Sequence, residues 1–340
     1  MILSPGADTL PLRRIVVAMN PHADPRQAEV RRAALAEAFD RHGATASFVD
    51  VTDAGALRAV LEGRQADCDA LVAAGGDGTI HTVANALARA AAQAPRTGVP
   101  PMGIVASGTF NYVARRYGVD GTLDEAARTV VSGRSIDIPA GEVSGHLFLN
   151  HCSLGLYTSI IDARERHKAT FGRHRWVALL SGLATLLGSH ARPRLRIRHD
   201  DGRERRLRAS MVFVGANPLQ LTELDPALAQ RVADGALALV VVRAIDLRRL
   251  AGFAWRALTG STVVDAPEIE AEAVRTATIV LRRRRLARIV LDGELRDLPP
   301  QLDLRWHERA LRLRVPAPGG GTDGAGTSAP AVPLPDVPPA

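Results

Sequence analysis

The sequence predicts an α/β amino-terminal domain with a parallel sheet, followed by a second, mainly antiparallel β domain. Short β-rich runs alternate with helical patterns from residue 13 to about residue 135, and this alternation implies a parallel sheet covered on both faces. After about residue 135 the pattern changes to paired strands. A length of 340 residues is enough for two domains of ordinary size, each with its own core.

The first half is predicted to begin with a strand at 14–19 and a helix at 27–43. Val30, Ala34 and Ala38 form the apolar stripe of this helix, and Gly43 stands just beyond its end. The run ALVAA is continuously apolar, which is typical of a strand buried on both faces. The complete set of further elements is a strand at 45–51, a helix at 54–61, a strand at 69–74, a helix at 79–93 and a strand at 102–107.

The second half is predicted to consist mostly of hairpins. The hairpin at 193–215 has its turn at Asp201 and Gly202. The segment 317–340 is dominated by Gly, Pro, Ala and Ser and offers little to bury, so it is predicted to be disordered. The other strand patterns lie at 134–145, 146–155, 236–243, 277–285, 287–294 and 306–315, and two helical patterns at 173–189 and 246–259 interrupt them.

Composition excludes several classes of protein. The net charge of +7 comes almost wholly from arginine, and because Lys168 is the only lysine, a Walker A loop with its phosphate-binding lysine is excluded. Aromatic residues make up 4% of the chain and offer little stacking surface, so we expect no nucleic-acid partner. Cys68 and Cys152 are too few for a disulfide framework or a cysteine-based zinc site. With no long apolar run and no secretory signal, we expect a cytoplasmic protein.

A glycine-rich stretch follows the apolar strand at 69–74. Gly75, Gly76 and Gly78 stand where ligands bind in open α/β sheets, at the carboxyl end of a strand. Glycines let backbone N–H groups approach a phosphate, and the start of the following helix favours an anion. Asp77 is expected to hold Mg²⁺ or to orient a hydroxyl. The structural alternative is a helix-capping turn with Asp77 or Thr79 as the N-cap.

A second polar turn follows the strand at 102–107. Ser107, Gly108 and Thr109 stand at its end, and Asn111 opens a helix. Two such turns at the ends of adjacent strands can enclose one nucleotide. Asn20, after the first strand, is a third candidate, for contacting phosphate or for capping a helix.

Seven segments give the chain a resemblance to the diacylglycerol kinase catalytic family, which includes bacterial lipid kinases and sphingosine-kinase-like proteins and shares its nucleotide fold with NAD kinases. The resemblance covers about residues 13–316. GGDGT alone does not separate these kinases from NAD kinases or phosphofructokinases, but the later segments do. In chain order the segments are MNP, GGDGT, SGTFNYVARRYGV, FLNHCSLGLYTSIIDARE, VFVGANP, DGALALVVVR and LDGEL.

The resemblance implies a nucleotide-binding domain at 1–135 and a β-sandwich domain for the lipid substrate at 136–305. It also implies that the last strand, at 306–316, returns to the first domain, and that ATP phosphorylates a lipid hydroxyl between the two domains. Asp292 and Glu294 match the acidic pair from which the family draws its base. Without the resemblance, a β-turn at residues 292–294 is as well supported as a catalytic role. The candidate nucleotide-binding residues are Asn20, Thr52, Gly75, Gly76, Asp77, Gly78, Thr79, Gly108 and Thr109.

The chain departs from the family pattern at several positions. Asp234 matches a metal position, but Arg231 stands where some relatives have a second acidic ligand. Tyr112 stands where many relatives have Asp, near the expected acceptor site, and Thr82 stands where many have Glu. The change at Tyr112 bears on the identity of the lipid more than on the fold, and Arg231 weakens the case for a metal at Asp234.

Arginines alternate along two predicted strands and form a basic surface. Such a surface has two interpretations, a solvated face of the sheet or a site that docks on anionic lipid. A further cluster lies at Arg282–Arg285 and Arg288. The alternating residues are Arg192, Arg194, Arg196 and Arg198 on one strand, and Arg203, Arg205, Arg206 and Arg208 on the next.

The sequence therefore predicts an ATP- and Mg²⁺-dependent lipid kinase acting on diacylglycerol or a sphingoid-type alcohol. We expect a lipid substrate at a membrane surface, with peripheral contact at the inner membrane face and a homodimer left open. Amide substitutions at Asp77, Asp292 or Glu294 are expected to abolish phosphorylation with little change in thermal stability. An NAD kinase and a catalytically inactive lipid- or nucleotide-binding regulator are the alternatives.

Overall fold

A computed structural model describes residues 11–21, 26–62, 68–93, 98–155, 193–222, 225–243, 269–282 and 284–318. The chain divides into two compact units, Met1–Pro139 with Glu308–Ala340, and Ala140–His307. The chain thus passes between units a few residues from the predicted boundaries. The helical patterns at 173–189 and 246–259, and the tail from 319 onwards, lie outside the described residues.

The first unit contains a parallel sheet in the order β2–β1–β3–β4. Its strands are β1 (Arg14–Met19), β2 (Thr45–Asp50), β3 (Ala70–Gly75) and β4 (Met102–Ala106). Its helices are α1 (Ala28–Arg41), α2 (Ala54–Leu61), α3 (Asp77–Gln93), α4 (Tyr112–Arg116) and α5 (Leu123–Ser132).

Helix α1 packs with a face that only partly matches the predicted one. Val30 is 68% exposed, whereas Leu35, Ala38 and Phe39 are buried in the core of the first unit. Ala38 of the predicted stripe is buried, but Val30 is not, because small alanines recur all round this helix and the larger side chains, Leu35 and Phe39, decide which face is buried. Gly43 follows the helix with φ +75°, a backbone conformation that glycine adopts without strain.

The second unit is mostly antiparallel. Its elements begin with β5 (Arg134–Val143), which starts in the first unit, β6 (His146–Phe148), β7 (His151–Gly155), β8 (Arg194–His199), β9 (Glu204–Gly215), a 3-10 helix (Pro218–Gln220) and α6 (Pro226–Ala233). They continue with β10 (Leu237–Arg243), β11 (Ile269–Val274), β12 (Thr276–Leu281), β13 (Ala287–Leu291), β14 (Glu294–Leu298) and β15 (Gln301–Val315).

Strand β9 joins two antiparallel arrays in this unit. Its first half pairs with β8, which continues to β12 and β15. Its second half lies between β7 and β10, in the order β14–β13–β7–β9–β10–β11. One hydrophobic cluster draws residues from both arrays. The predicted fold class is therefore confirmed, with a parallel α/β unit followed by a mainly antiparallel β unit.

The end of β15 lies in the first unit, where Leu313 pairs in parallel with Met102 of β4. Arg314 is 2% exposed and donates to the backbone oxygens of Val130 (2.8 Å) and Val131 (3.2 Å) at the end of α5. It also donates to the oxygen of Gly133 at 2.5 Å. A buried guanidinium thus satisfies carbonyls that a helix end leaves without partners.

No helix in the described residues is long and apolar enough to span a membrane.

Candidate functional site

Two polar turns meet at the carboxyl edge of the parallel sheet in the first unit. Gly75 ends β3 opposite Ala106, the last residue of β4. The backbone N–H of Ser107 donates to the oxygen of Gly75 at 3.0 Å. A Cβ placed on Gly108 would lie 2.8 Å from the Cα of Gly76. The two backbones can approach this closely because neither glycine has a side chain.

Gly76 is the single residue between β3 and α3. The helix begins at Asp77, not at residue 79 as predicted, and the N–H of Ile80 donates to the oxygen of Gly76 at 3.1 Å. Gly76 therefore takes the N-cap position, so the alternative in which Asp77 or Thr79 is the N-cap was wrong. A Cβ on Gly75 would lie 2.3 Å from Oγ1 of Thr79, so this threonine packs directly over the glycine.

The first turn of α3 suits an anion. The opening backbone N–H groups of a helix have no partners within the helix, and the helix dipole is positive at that end. Residues 75–79 are only half-buried, so a ligand can reach them. Asp77 lies in this first turn and adds one half-buried carboxylate. Mg²⁺ in phosphate sites is bound through one or two carboxylates together with the phosphates, and Asp77 fits that requirement.

The turn after β4 is held by a side chain. Oδ1 of Asn111 accepts the N–H of Gly108 at 2.9 Å, and Asn111 itself has φ +48°. Thr109 is exposed and available to a ligand. Phe110, 59% exposed, stacks on Tyr112 with ring centroids 5.8 Å apart. Tyr112, the departure noted in the sequence, thus belongs to an accessible aromatic pair beside the glycine turns.

Asn20 and Thr52 stand on the same edge of the sheet. Asn20 follows Met19, which pairs with both Ala74 of β3 and Asp50 of β2. The N–H and Oγ1 of Thr52 both donate to Oδ1 of Asp50 at 2.8 Å. Asp50 was missed at the sequence level, although its place at the end of a predicted strand was a usable signal.

In the second unit, Asp292 forms a tight turn between β13 and β14. Asp292 and Gly293 have φ values of +48° and +98°, and Leu291 pairs with Glu294. A two-residue connection with two positive φ values matches the right-handed twist of a hairpin. The β-turn that the sequence allowed is therefore present.

The carboxylate of Asp292 is buried and binds backbone. Only 7% of the residue is exposed. Oδ2 accepts the N–H of Leu149 at 2.8 Å, and Oδ1 accepts the N–H groups of Asn150 and His151, each at 2.9 Å. Burial raises the pKa of the neighbouring Cys152 thiol, and the Asp292 charge raises it further, so the thiol stays protonated and unreactive.

Glu294 has a different environment. Its side chain is 36% exposed, and Oε2 accepts a hydrogen bond from Arg296 at 2.8 Å. The two members of the acidic pair thus differ, since Asp292 organises the backbone around the turn while Glu294 presents a carboxylate to solvent.

Two buried asparagines lie beside the segment that Asp292 binds. Nδ2 of Asn217 donates to Oδ1 of Asn150 at 2.9 Å, and both residues are at most 3% exposed. The N–H groups of Ala216 and Asn217 also bind the oxygen of Asn150. Sequence reasoning did not select either asparagine, because a buried amide pair depends on strands β7 and β9 being neighbours.

The described contacts of Asp234 are those of a helix end. It is the C-cap of α6, and its Oδ1 accepts Nε2 of Gln230 at 2.9 Å. In the part of the chain that the structure describes, no group of three or more His, Cys, Asp or Glu residues is placed to hold a metal. The metal role of Asp234 stays a prediction.

Residues 14–143 match the family described as Diacylglycerol kinase catalytic domain. The chain is 27% identical over 300 residues to the Diacylglycerol kinase of Bacillus subtilis (strain 168), covering 85% of this chain and 92% of that protein. It is 35% identical over 119 residues to Probable lipid kinase YegS of Escherichia fergusonii, covering 34% of this chain and 38% of that protein. A crystal structure of a diacylglycerol kinase from Bacillus anthracis str. Sterne matches with a TM-score of 0.61 at 20% identity, covering 89% of this chain and 96% of that chain. This last similarity is evidence for the fold.

Proposed function

Residues 14–143 belong to the diacylglycerol kinase catalytic domain family, and from this premise we propose that the protein transfers the γ-phosphoryl group of ATP to a lipid hydroxyl. Membership of this family supports the general assignment as a lipid kinase. ATP as donor, Mg²⁺ as cofactor and diacylglycerol or a sphingoid alcohol as acceptor are the finer parts of the proposal.

The observation that carries the nucleotide part is the close approach of Gly76 and Gly108 at the carboxyl edge of the sheet. The start of α3 offers backbone N–H groups beside two glycines that carry no side chain, which suits the phosphates of ATP. Asp77 would hold Mg²⁺ there, which when bound neutralises phosphate charge. Asn20, Thr52 and the exposed Thr109 would supply further polar contacts along the same edge.

Glu294 would accept the proton of the acceptor hydroxyl. A lipid alcohol has a pKa far above 7, so its proton must leave as the new O–P bond forms. Both oxygens of Asp292 already accept backbone N–H groups, whereas Glu294 is half-exposed. Asp292 would therefore hold the turn that positions Glu294.

The decisive experiment measures phosphate transfer from labelled ATP to lipids. Purified protein is incubated with Mg²⁺ and mixed lipid vesicles, and phosphorylated products of a total lipid extract are identified by mass spectrometry. Glu294→Gln is expected to lower turnover at least about 100-fold, the usual contribution of a general base, with little loss of stability. Asp77→Asn is expected to abolish transfer in the same way.

Asp297→Asn is the matched control. Asp297 lies on the same strand as Glu294 and pairs with Arg288 at 3.1 Å. Turnover in this variant is expected to equal that of the wild type.

Two other results would replace the proposal. Transfer to NAD instead of lipid would assign an NAD kinase. Vesicle co-sedimentation without turnover of ATP would assign a regulator that has lost catalysis, an outcome to which the departures at Tyr112, Thr82 and Arg231 would then contribute.

A further inference from the structure

Like charges face each other on the hairpin formed by β8 and β9. In its register Arg194 lies opposite Arg208, and Arg196 lies opposite Arg206. Side chains of directly opposed residues on one face are close neighbours, and like charges there destabilise the pair. Two adjacent arginine pairs therefore form a concentrated positive patch on one face of the sheet.

The opposite face of the same strands is mostly apolar. Leu195 and Ile197 of β8 and Ala209 of β9 are buried in the core of the second unit. Because successive strand residues alternate between faces, the arginines are fixed on the outer face by the core. Arg194 and Arg208 are exposed there.

Arg205 does not belong to this surface, so that part of the sequence prediction was wrong. It points to the inner side, where its guanidinium binds Glu270 at 2.5 Å and also binds Glu272. Arg203 lies in the turn and is paired with Asp201 at 2.5 Å. Alternation along β9 separates Arg205 from its neighbours on the chain.

Few carboxylates offset the outer face. Glu204 accepts a hydrogen bond from Arg206 at 2.9 Å and forms an ion pair with Arg196 at 3.5 Å. Within the described residues the guanidinium groups of Arg194 and Arg208 form no ion pair, whereas Arg198 lies opposite Glu204 in the register. The other charged strand positions on this face are Asp303 and Arg305 of β15, and Asp200 lies in the turn, bonded to Thr276.

We propose that this arginine face, formed by Arg194, Arg196, Arg198, Arg206 and Arg208, docks the protein on an anionic phospholipid surface. The proposal rests on the proposed function in one respect, since a lipid acceptor brings the enzyme to a membrane. Charge complementarity carries it, because lipid phosphates relieve the repulsion between opposed arginines. The face carries no aromatic residue on β8 or β9 between 194 and 208, and single-stranded nucleic acid would require stacking platforms.

The test is co-sedimentation of the full chain with vesicles of phosphatidylcholine, with and without phosphatidylglycerol, at low and high salt. Wild type is expected to bind only the anionic vesicles, and less at high salt. Arg194→Gln/Arg208→Gln is expected to lower the partition coefficient about 30-fold, from about 1 kcal/mol for each basic residue near the surface. Its thermal midpoint is expected to match or exceed that of the wild type, because repulsion is removed.

The control is Arg203→Gln/Arg288→Gln, which makes the same change in net charge at exposed arginines already paired with Asp201 and Asp297. Equal binding by the two double variants would overturn the proposal. Binding of the wild type to neutral vesicles but not to anionic vesicles would also overturn it. Salt-sensitive binding to single-stranded DNA without binding to anionic vesicles would overturn it in favour of nucleic acid.

A kinase assay in neutral detergent micelles separates this proposal from the proposed function. Equal turnover of wild type and Arg194→Gln/Arg208→Gln in micelles, with loss of vesicle binding by the variant, supports both. Charge-dependent vesicle binding without transfer to any lipid leaves the docking face standing and removes the kinase assignment.

Discussion

The substitution Asp292→Asn separates a structural role of the acidic pair from a chemical one. Asparagine tolerates the positive φ of this turn, so the backbone conformation is kept. The amide has one oxygen, which can replace Oδ1 and keep two of the three backbone bonds. Its NH₂ group then faces the N–H of Leu149, where Oδ2 accepts a bond at 2.8 Å.

The loss in the free energy of unfolding can be calculated from these contacts. One hydrogen bond to a charged group contributes about 1.5–3 kcal/mol, and a buried donor left without an acceptor costs about 1–3 kcal/mol more. We expect the free energy of unfolding to fall by about 3–6 kcal/mol. At about 2 °C per kcal/mol for a large chain, the thermal midpoint should fall by about 6–12 °C.

Urea denaturation and calorimetry of the full chain measure this change. Glu294→Gln serves as the comparison, since an exposed ion pair contributes at most about 1 kcal/mol. The sequence predicted that amides at both positions leave stability nearly unchanged. The buried contacts of Asp292 change that prediction for Asp292 but not for Glu294. A thermal midpoint for Asp292→Asn within about 2 °C of wild type would contradict the structural role of Asp292, as would an equal loss of stability in Glu294→Gln.

Three further predictions follow from other contacts. Gly108→Ala places a Cβ 2.8 Å from backbone of the neighbouring glycine turn, so it should weaken nucleotide binding measured by calorimetry, whereas Gly98→Ala, with open space around its Cβ, should bind normally. Arg314→Met removes the buried donor to the oxygens of Val130, Val131 and Gly133 and should lower the free energy of unfolding in urea by about 3 kcal/mol, against less than about 1 kcal/mol for Arg309→Met at an exposed ion pair. Burial acts to raise the pKa of Asp69, but hydrogen bonds from a guanidinium and two backbone N–H groups outweigh it and hold the pKa below its usual value. The stabilisation by the carboxylate is present above that value and is lost as pH falls through the lowered pKa, so wild type should exceed Asp69→Asn in thermal midpoint at pH 7 and converge with it in acid.

Local patterns were enough for most element assignments in the first unit. Helix α2 has the predicted bounds, 54–61, because Asp53 caps it and its apolar positions recur with the helical period. The start of α3 was placed two residues late. Gly78 lowers helix propensity at that point, but the N–H of Ile80 still reaches the oxygen of Gly76.

The second unit was harder because strand pairing is non-local. The sequence predicted the hairpin turn at Gly202, and glycine there adopts φ +81°. Strand β11 was not predicted, as its EAEA pattern lacks the β-branched residues typical of strands, and it depends on pairing with β10.

For the candidate site, residue types alone indicated which chemistry is present. Glycines at two strand ends and a carboxylate between them could be named from residue types and spacing, whereas the acidic pair near the end of the chain was named from the resemblance to the kinase family. Side-chain type and local turn propensity are properties of a short stretch of chain, so they can be read without the fold.

How those residues are used depends on contacts between strands and turns that are distant in the chain. It brought Gly76 against Gly108, buried Asp292 among three backbone donors and left Glu294 half-exposed. It also turned Arg205 inward while setting Arg194 opposite Arg208. These outcomes depend on which strands become neighbours and in which register, and contacts between distant parts of the chain are not encoded in any local pattern.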